Sequence, residues 1–238
     1  MSIVKVKNIT KEVSKIKILD NVSLEIEEGE ILGLIGPSGS GKSTFIKSII
    51  GMEKISCGEV FILGNKIPNR NILQSIGYMA QSDALYEDLT GKENLEFFAK
   101  IFSINKYEIN KRIEYVSNLV NMQNDLNKKV KYYSGGMKRR LSLAISLIQD
   151  PKVLILDEPT VGIDPKLRLS IWNELNKLKL KGKSIIITTH VMDEAQRCDK
   201  LALIRNGKII ANGTPSKLKD EFKVGTIEDI FLKIGGEI

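Results

Sequence analysis

Apolar and polar residues alternate over Ile3 to Lys7 and again over Lys17 to Ile26, the two-residue period of strands buried on one face. Glu28-Gly29-Glu30 reads as a turn, and Ile31 to Ile35 after it is apolar without alternation. A run that short and that apolar predicts a strand covered on both faces. A glycine-rich stretch follows, then Ser43 to Ile50, spaced as a helix ending near Gly51, and a further strand over Val60 to Leu63 with a turn at Gly64-Asn65.

The period changes at about Ser82. Between Gly91 and Gln149, Leu95, Phe98 and Ala99, then Ile113, Val116, Leu119 and Val120, fall three and four apart, the spacing of helices with one buried face. Asp150-Pro151 stops the last of them, because proline cannot continue a helix and restrains the residue before it. Val153 to Leu156 and Ile185 to Thr189 then predict buried parallel strands on either side of a helix over Lys166 to Lys181, joined by a right-handed crossover. Leu201 to Arg205 and Lys208 to Ala211 flank Asn206-Gly207, a hairpin signal. One or two helices are expected from Ser216 onward.

Composition narrows the function classes. At 238 residues the chain can form one large α/β domain with a sizeable core. Its 36 Lys and Arg against 29 Asp and Glu give a net charge of +7. The basic residues are scattered, with local groups only at Lys128 to Lys131 and Lys138 to Arg140 and no interleaved aromatics, which argues for solvated surface and against a nucleic-acid partner. Cys57 and Cys198 stand apart with no metal-binding or disulfide spacing, as in a reducing compartment. No apolar run approaches the roughly 20 residues that cross a bilayer, so a membrane role has to come through a partner.

The chemistry concentrates in a few places. Gly36-Pro37-Ser38-Gly39-Ser40-Gly41-Lys42-Ser43-Thr44 fits the pattern GxxxxGK followed by Ser or Thr, set between a strand and a helix. Its glycines let backbone N–H groups turn toward phosphate oxygens at the positive end of the helix. Lys42 would neutralise the β- and γ-phosphates, Ser43 would ligate Mg²⁺, and Thr44 would reach the α-phosphate. Asp157 and Glu158 follow the buried strand Val153 to Leu156, at the carboxyl end where open α/β sheets bind ligands. Asp157 would reach Mg²⁺ through water and Glu158 would orient the attacking water; a surface carboxylate pair is the plainer alternative. His190, the single histidine, ends the next core strand, where it suits a γ-phosphate contact better than a general base. Ser134-Gly135-Gly136 opens a helix, Met137 to Ile148, with a hydroxyl and exposed N–H groups, which by itself also describes an ordinary serine-capped helix.

Taken together and in this order, these residues resemble the nucleotide-binding subunits of ATP-binding cassette (ABC) transporters over nearly the whole chain: phosphate loop, Gln81, signature Tyr133 to Met137, Val153 to Glu158, Asp164, His190. The resemblance implies a P-loop NTPase (RecA-like) α/β core with an N-terminal antiparallel β subdomain and an inserted α-helical subdomain. The core would span 1–81 and 150–215, the helical signature subdomain 82–149 and a helical tail 216–238. It implies ATP and Mg²⁺, with Gln81 coupling the metal and γ-phosphate to the helical subdomain and Asp164 communicating across a dimer. It implies two partners, a second ATP-binding subunit whose signature completes the site and a transmembrane permease that keeps this chain at the inner face of the membrane. Leu85, Tyr86 and Leu89 fall where the family presents a groove to the permease, although core packing explains them equally well. Met137 to Leu141, Pro159 to Pro165 and Thr188 to Ala195 look like the branch serving drug, antibiotic and polysaccharide exporters; a soluble member of the family, as in iron–sulfur cluster assembly, is the alternative. Val13 stands where the family usually carries an aromatic residue stacked on adenine, so base recognition is expected to be weaker or relaxed.

Overall fold

A computed structural model describes residues 2–82 and 84–235. The elements in chain order are β1 (Ser2–Val13), β2 (Ile16–Glu27), β3 (Ile31–Ile35), α1 (Lys42–Ile49), β4 (Cys57–Ile62), β5 (Asn65–Lys66), β6 (Ile76–Met79), α2 (Gly91–Ile101), α3 (Lys106–Leu119) and α4 (Gly135–Leu147). They continue with β7 (Val153–Asp157), α5 (Pro165–Leu180), β8 (Ser184–Thr188), α6 (Met192–Ala195), β9 (Lys200–Arg205), β10 (Lys208–Gly213), α7 (Pro215–Phe222) and α8 (Ile227–Gly235). This is the mixed α/β fold expected, with an N-terminal antiparallel sheet and an inserted helical part. Residues 236–238 of the expected helical tail lie outside the described residues.

The chain divides into two compact units, residues 1–72 with 186–238 and residues 73–185, the cut falling inside β8. In the first unit β2, β1, β4 and β5 form an antiparallel sheet in that order, with Val4 opposite Ile26 and Ile62, and Val6 opposite Leu24 and Val60. Those six side chains are buried, which is the inward half of the alternation. A second sheet of this unit runs β10-β9-β3-β8. β3 lies parallel to β9, and all five of its residues are buried. At the β9–β10 hairpin Asn206 and Gly207 take positive φ values of 49° and 73°, the left-handed pair a two-residue turn requires.

In the second unit β6 and β7 pair in parallel, Tyr78 opposite Ile155 and Met79 opposite Leu156. β6 carries only four residues and includes Gly77, too little pattern to announce a strand from sequence. That glycine is what lets α4 pack onto it: a Cβ on Gly77 would lie 2.1 Å from the carbonyl oxygen of Ser146. The helices begin on side-chain caps. Thr90 and Glu93 form a reciprocal capping box on α2, Ser134 caps α4, and Asp164, followed by Pro165, caps α5.

Candidate functional site

The phosphate loop belongs to the first unit. β3 delivers the chain to Gly36, where any side chain is excluded: a Cβ would sit 2.3 Å from the carbonyl oxygen of Ile204 and 2.6 Å from Ser40 Oγ. Gly39 and Gly41 take φ values of 77° and 105°, turning the loop into α1 through conformations that only glycine adopts without strain. The loop is tied by Ser40 N to Pro37 O at 3.2 Å, and Gly207 N of the β9–β10 turn donates to Ser40 O at 3.0 Å. Lys42 lies back over it, its Nζ donating to Gly36 O at 2.7 Å and Pro37 O at 3.0 Å.

Two features of this loop point to an anion. Ser40 Oγ is buried without a hydrogen-bond partner among the described residues, where nearly all buried hydroxyls have one. α1 starts on Gly41 with no side-chain cap, whereas Asn105, Thr214, Thr90, Ser134 and Asp164 cap α3, α7, α2, α4 and α5. The start of α1, the positive end of its dipole, therefore carries no side-chain oxygen and faces the loop, a setting that favours an anion.

Also in the first unit, His190 is exposed just past β8. The buried hydroxyl of Thr189 donates to Glu194 Oε2 at 2.6 Å and accepts from Val191 N at 3.0 Å, so the backbone on both sides of the histidine is fixed through one oxygen. Val13 is 49% exposed at the tip of the β1–β2 hairpin, paired with Ile16 across a turn in which Ser14 and Lys15 both have positive φ.

In the second unit the parallel register of β6 and β7 brings distant residues to one edge. Asp157 ends β7 and is 3% exposed; Glu158 follows it, and Gln81 lies two residues beyond β6. Gln81 Nε2 and Glu158 Oε2 are 3.5 Å apart, a long hydrogen bond. Glu158 takes a φ of 52°, a left-handed conformation that strains a residue with a side chain. Tyr78, on β6, has its hydroxyl pKa raised by burial and then by the charge of Asp157.

The signature segment is built around α4. Ser134 Oγ accepts from Met137 N at 3.3 Å, capping the helix, and nothing lies within 4 Å of where a Cβ on Gly135 would be. Tyr133 anchors the approach, its hydroxyl donating to Asp125 O at 2.7 Å against Gly91, and burial pushes its pKa to about 12. Asp164 accepts from Leu167 N at 3.0 Å, so it caps α5; the Asp-Pro pair before a helical pattern was the signal for that role. Tyr86 is half-exposed, edge-on to Phe97 at 4.7 Å between centroids, and its backbone is held by the buried amide of Asn94.

The residue that sequence reasoning missed is Arg139. Its group of basic residues suggests solvated surface, but this side chain is 6% exposed and turned inward onto the backbone at Gln81 and Glu158. Charge alone carries no signal for that; only its place one turn into α4 does.

The ABC transporter family profile matches residues 19–161. "Nod factor export ATP-binding protein I" of Rhizobium meliloti is 42% identical over 221 residues, which are 92% of this chain and 66% of that protein. "Probable multidrug ABC transporter ATP-binding protein YbhF" of Escherichia coli is 36% identical over 98% of this chain and 42% of its own length. The chain therefore spans just under two thirds of the first relative and less than half of the second. Among solved structures, an ATP-binding subunit of an ABC transporter superposes with a TM-score of 0.92 at 26% identity, over 98% of this chain and 100% of that one. A dimeric ATP-binding cassette in a post-hydrolysis state with ADP and Pi gives 0.81 at 31% identity, over 89% and 98%. By family profile, sequence and fold together, the chain belongs to the ABC transporter family, with the P-loop ATPase core of its ATP-binding subunits.

Proposed function

We propose that this chain is the ATP-binding and ATP-hydrolysing subunit of an ABC exporter, closing as a dimer on ATP and driving a separate transmembrane permease. The phosphate loop carries the reading. A buried unpartnered hydroxyl at Ser40, an uncapped helix N-terminus and the Lys42 ammonium within the same few residues make a donor set suited to phosphoryl oxygens. Gly36 to Thr44 hold the phosphates and Val13 meets the base. Ser43, Gln81 and Asp157 offer only oxygen to a cation, which fits Mg²⁺, a hard ion that prefers oxygen ligands. Mg²⁺ held there would neutralise charge on the β- and γ-phosphate oxygens.

Glu158 orients the attacking water and takes its proton as oxygen attacks the γ-phosphorus and the bond to the β-phosphate oxygen breaks. Gln81, beside Glu158, would couple Mg²⁺ and the γ-phosphate to the helical subdomain, and His190 positions and senses the γ-phosphate. Ser134, Gly135 and Gly136 serve the nucleotide of the second ATP-binding subunit, and Asp164 stands at that dimer contact. Similarity to a cassette solved as a dimer with ADP and Pi supports this arrangement. Export is favoured by the relatives, one named for Nod factor export and one as a probable multidrug transporter. The chain works at the inner face of the membrane through its permease, with Leu85, Tyr86 and Leu89 as the docking surface; among the described residues no helix is long and apolar enough to cross a membrane.

The test is Glu158→Gln in the purified chain. Turnover should fall about 100-fold or more, the scale of removing one group that acts only in the transition state, while ATP affinity is kept. Size-exclusion chromatography with ATP should then show a dimer. Hydrolysis at the parental rate would remove Glu158 from the reaction.

A further inference from the structure

Arg139 is the most heavily engaged buried cation of the second unit among the described residues. From one turn inside α4 its guanidinium donates to Ala80 O at 2.7 Å and Gln81 O at 3.0 Å. It also donates to Glu158 O at 2.7 Å and to Asp157 O. These acceptors lie just beyond the carboxyl ends of the parallel strands β6 and β7. A planar fork of N–H donors can hold two separate backbone segments at a fixed spacing, which a lysine ammonium cannot reproduce.

We infer that Arg139 is a positioning residue for hydrolysis: it clamps the Gln81 and Glu158 backbones against the first turn of α4. Two observations show why a clamp is needed. Glu158 sits at a φ of 52°, a strained conformation that persists only where surrounding contacts impose it, and Arg139 bonds its carbonyl directly. The hydrogen bond between the Gln81 amide and the Glu158 carboxylate is long, 3.5 Å, and holds their separation only weakly. α4 is itself seated on β6 at the side-chain-free Gly77, so the clamp is anchored on both sides. A consequence is that the helix carrying Ser134 to Gly136 is bonded to the residues proposed to act on water. This rests on the proposed roles of Glu158 and Gln81.

The experiment uses the full chain with Arg139→Ala and Arg139→Lys, each alone and with Glu158→Gln. Arg139→Ala should lower kcat about 100-fold while the Kd for ATP stays within about threefold, and should add less than about threefold on the Glu158→Gln background. Arg139→Lys should recover about tenfold of the loss. Without nucleotide, hydrogen exchange should accelerate at residues 78–82 and 155–160 in Arg139→Ala and stay parental in β1 and β2. Turnover within about threefold of the parent, additive losses with Glu158→Gln, or exchange rising equally across the whole second unit would each overturn the clamp. If Arg139→Ala does not fold, parental turnover and exchange in Arg139→Lys would overturn it. A parent chain that does not hydrolyse ATP would instead sink the proposed function, and the exchange measurement would still decide whether Arg139 holds the two segments.

Discussion

The phosphate loop of the first unit and the carboxylate edge of the second solve different physical problems. The loop is nine consecutive residues, Gly36 to Thr44, whose parts are mostly backbone: N–H groups, positive-φ glycines and the start of α1. The carboxylate edge gathers Gln81, Arg139, Asp157 and Glu158 from three stretches of chain, held by the register of β6 with β7 and by side chain to carbonyl bonds. The loop tolerates almost no change of shape but asks little of the rest of the unit beyond Ile204 and Gly207. The edge contains no glycine, holds Glu158 at a positive φ, and depends on tertiary contacts for the distances within it. Binding and turnover should therefore separate by region.

If substitutions in the loop change turnover and leave binding alone, the two regions do not divide the work in this way. Lys42→Ala has the largest expected effect: losing charge-assisted contacts to phosphate oxygens should cost about 3 kcal/mol, roughly a 150-fold rise in Kd for ATP by isothermal titration. Unchanged affinity would remove Lys42 from the site. Gly36→Ala comes next, because its Cβ would meet a backbone oxygen at 2.3 Å that cannot swing aside. Overpacking of that kind costs about 2 to 3 kcal/mol, or about 4 to 12 °C in Tm for a chain of this size, readable by thermal denaturation.

Val13, proposed to meet the base, tests side-chain recognition apart from the backbone recognition of the loop. Val13→Tyr should tighten ATP binding by about 2 kcal/mol, about 30-fold, through base stacking, and raise the preference for ATP over GTP. Equal affinities before and after would show that position 13 does not meet the base. The smallest effect belongs to the signature. Ser134→Ala removes the cap on α4, bonded to Met137 N at 3.3 Å, and should cost about 1 kcal/mol of stability, about 2 to 4 °C in Tm. ATP binding to the isolated chain should not move; a loss there would mean that Ser134 serves its own chain's nucleotide.

Much of this architecture was legible in the residues. The buried strands β3, β7 and β8 announced themselves as short unbroken apolar runs, the β9–β10 turn through Asn206-Gly207, and α5 as a helical stretch over Lys166 to Lys181. β6 was not legible, since four residues including a glycine carry no period, and with it went the neighbour relation that places Gln81 beside Glu158. Arg139 was legible only as charge. Its burial depends on α4 lying over β6, a contact made by Gly77 and Ser146 at a separation of some 70 residues.

Local residue patterns were enough for the glycine-rich loop, the order of chemical groups along the chain and the serine cap on α4, because each is a matter of φ, spacing or one side-chain bond to a nearby N–H. The tertiary structure alone decided which carboxylate faces which amide, why Glu158 adopts a left-handed conformation, and that a surface-like arginine is an interior clamp. Those are set by strand register and by packing between segments far apart in the chain, where no local pattern reaches.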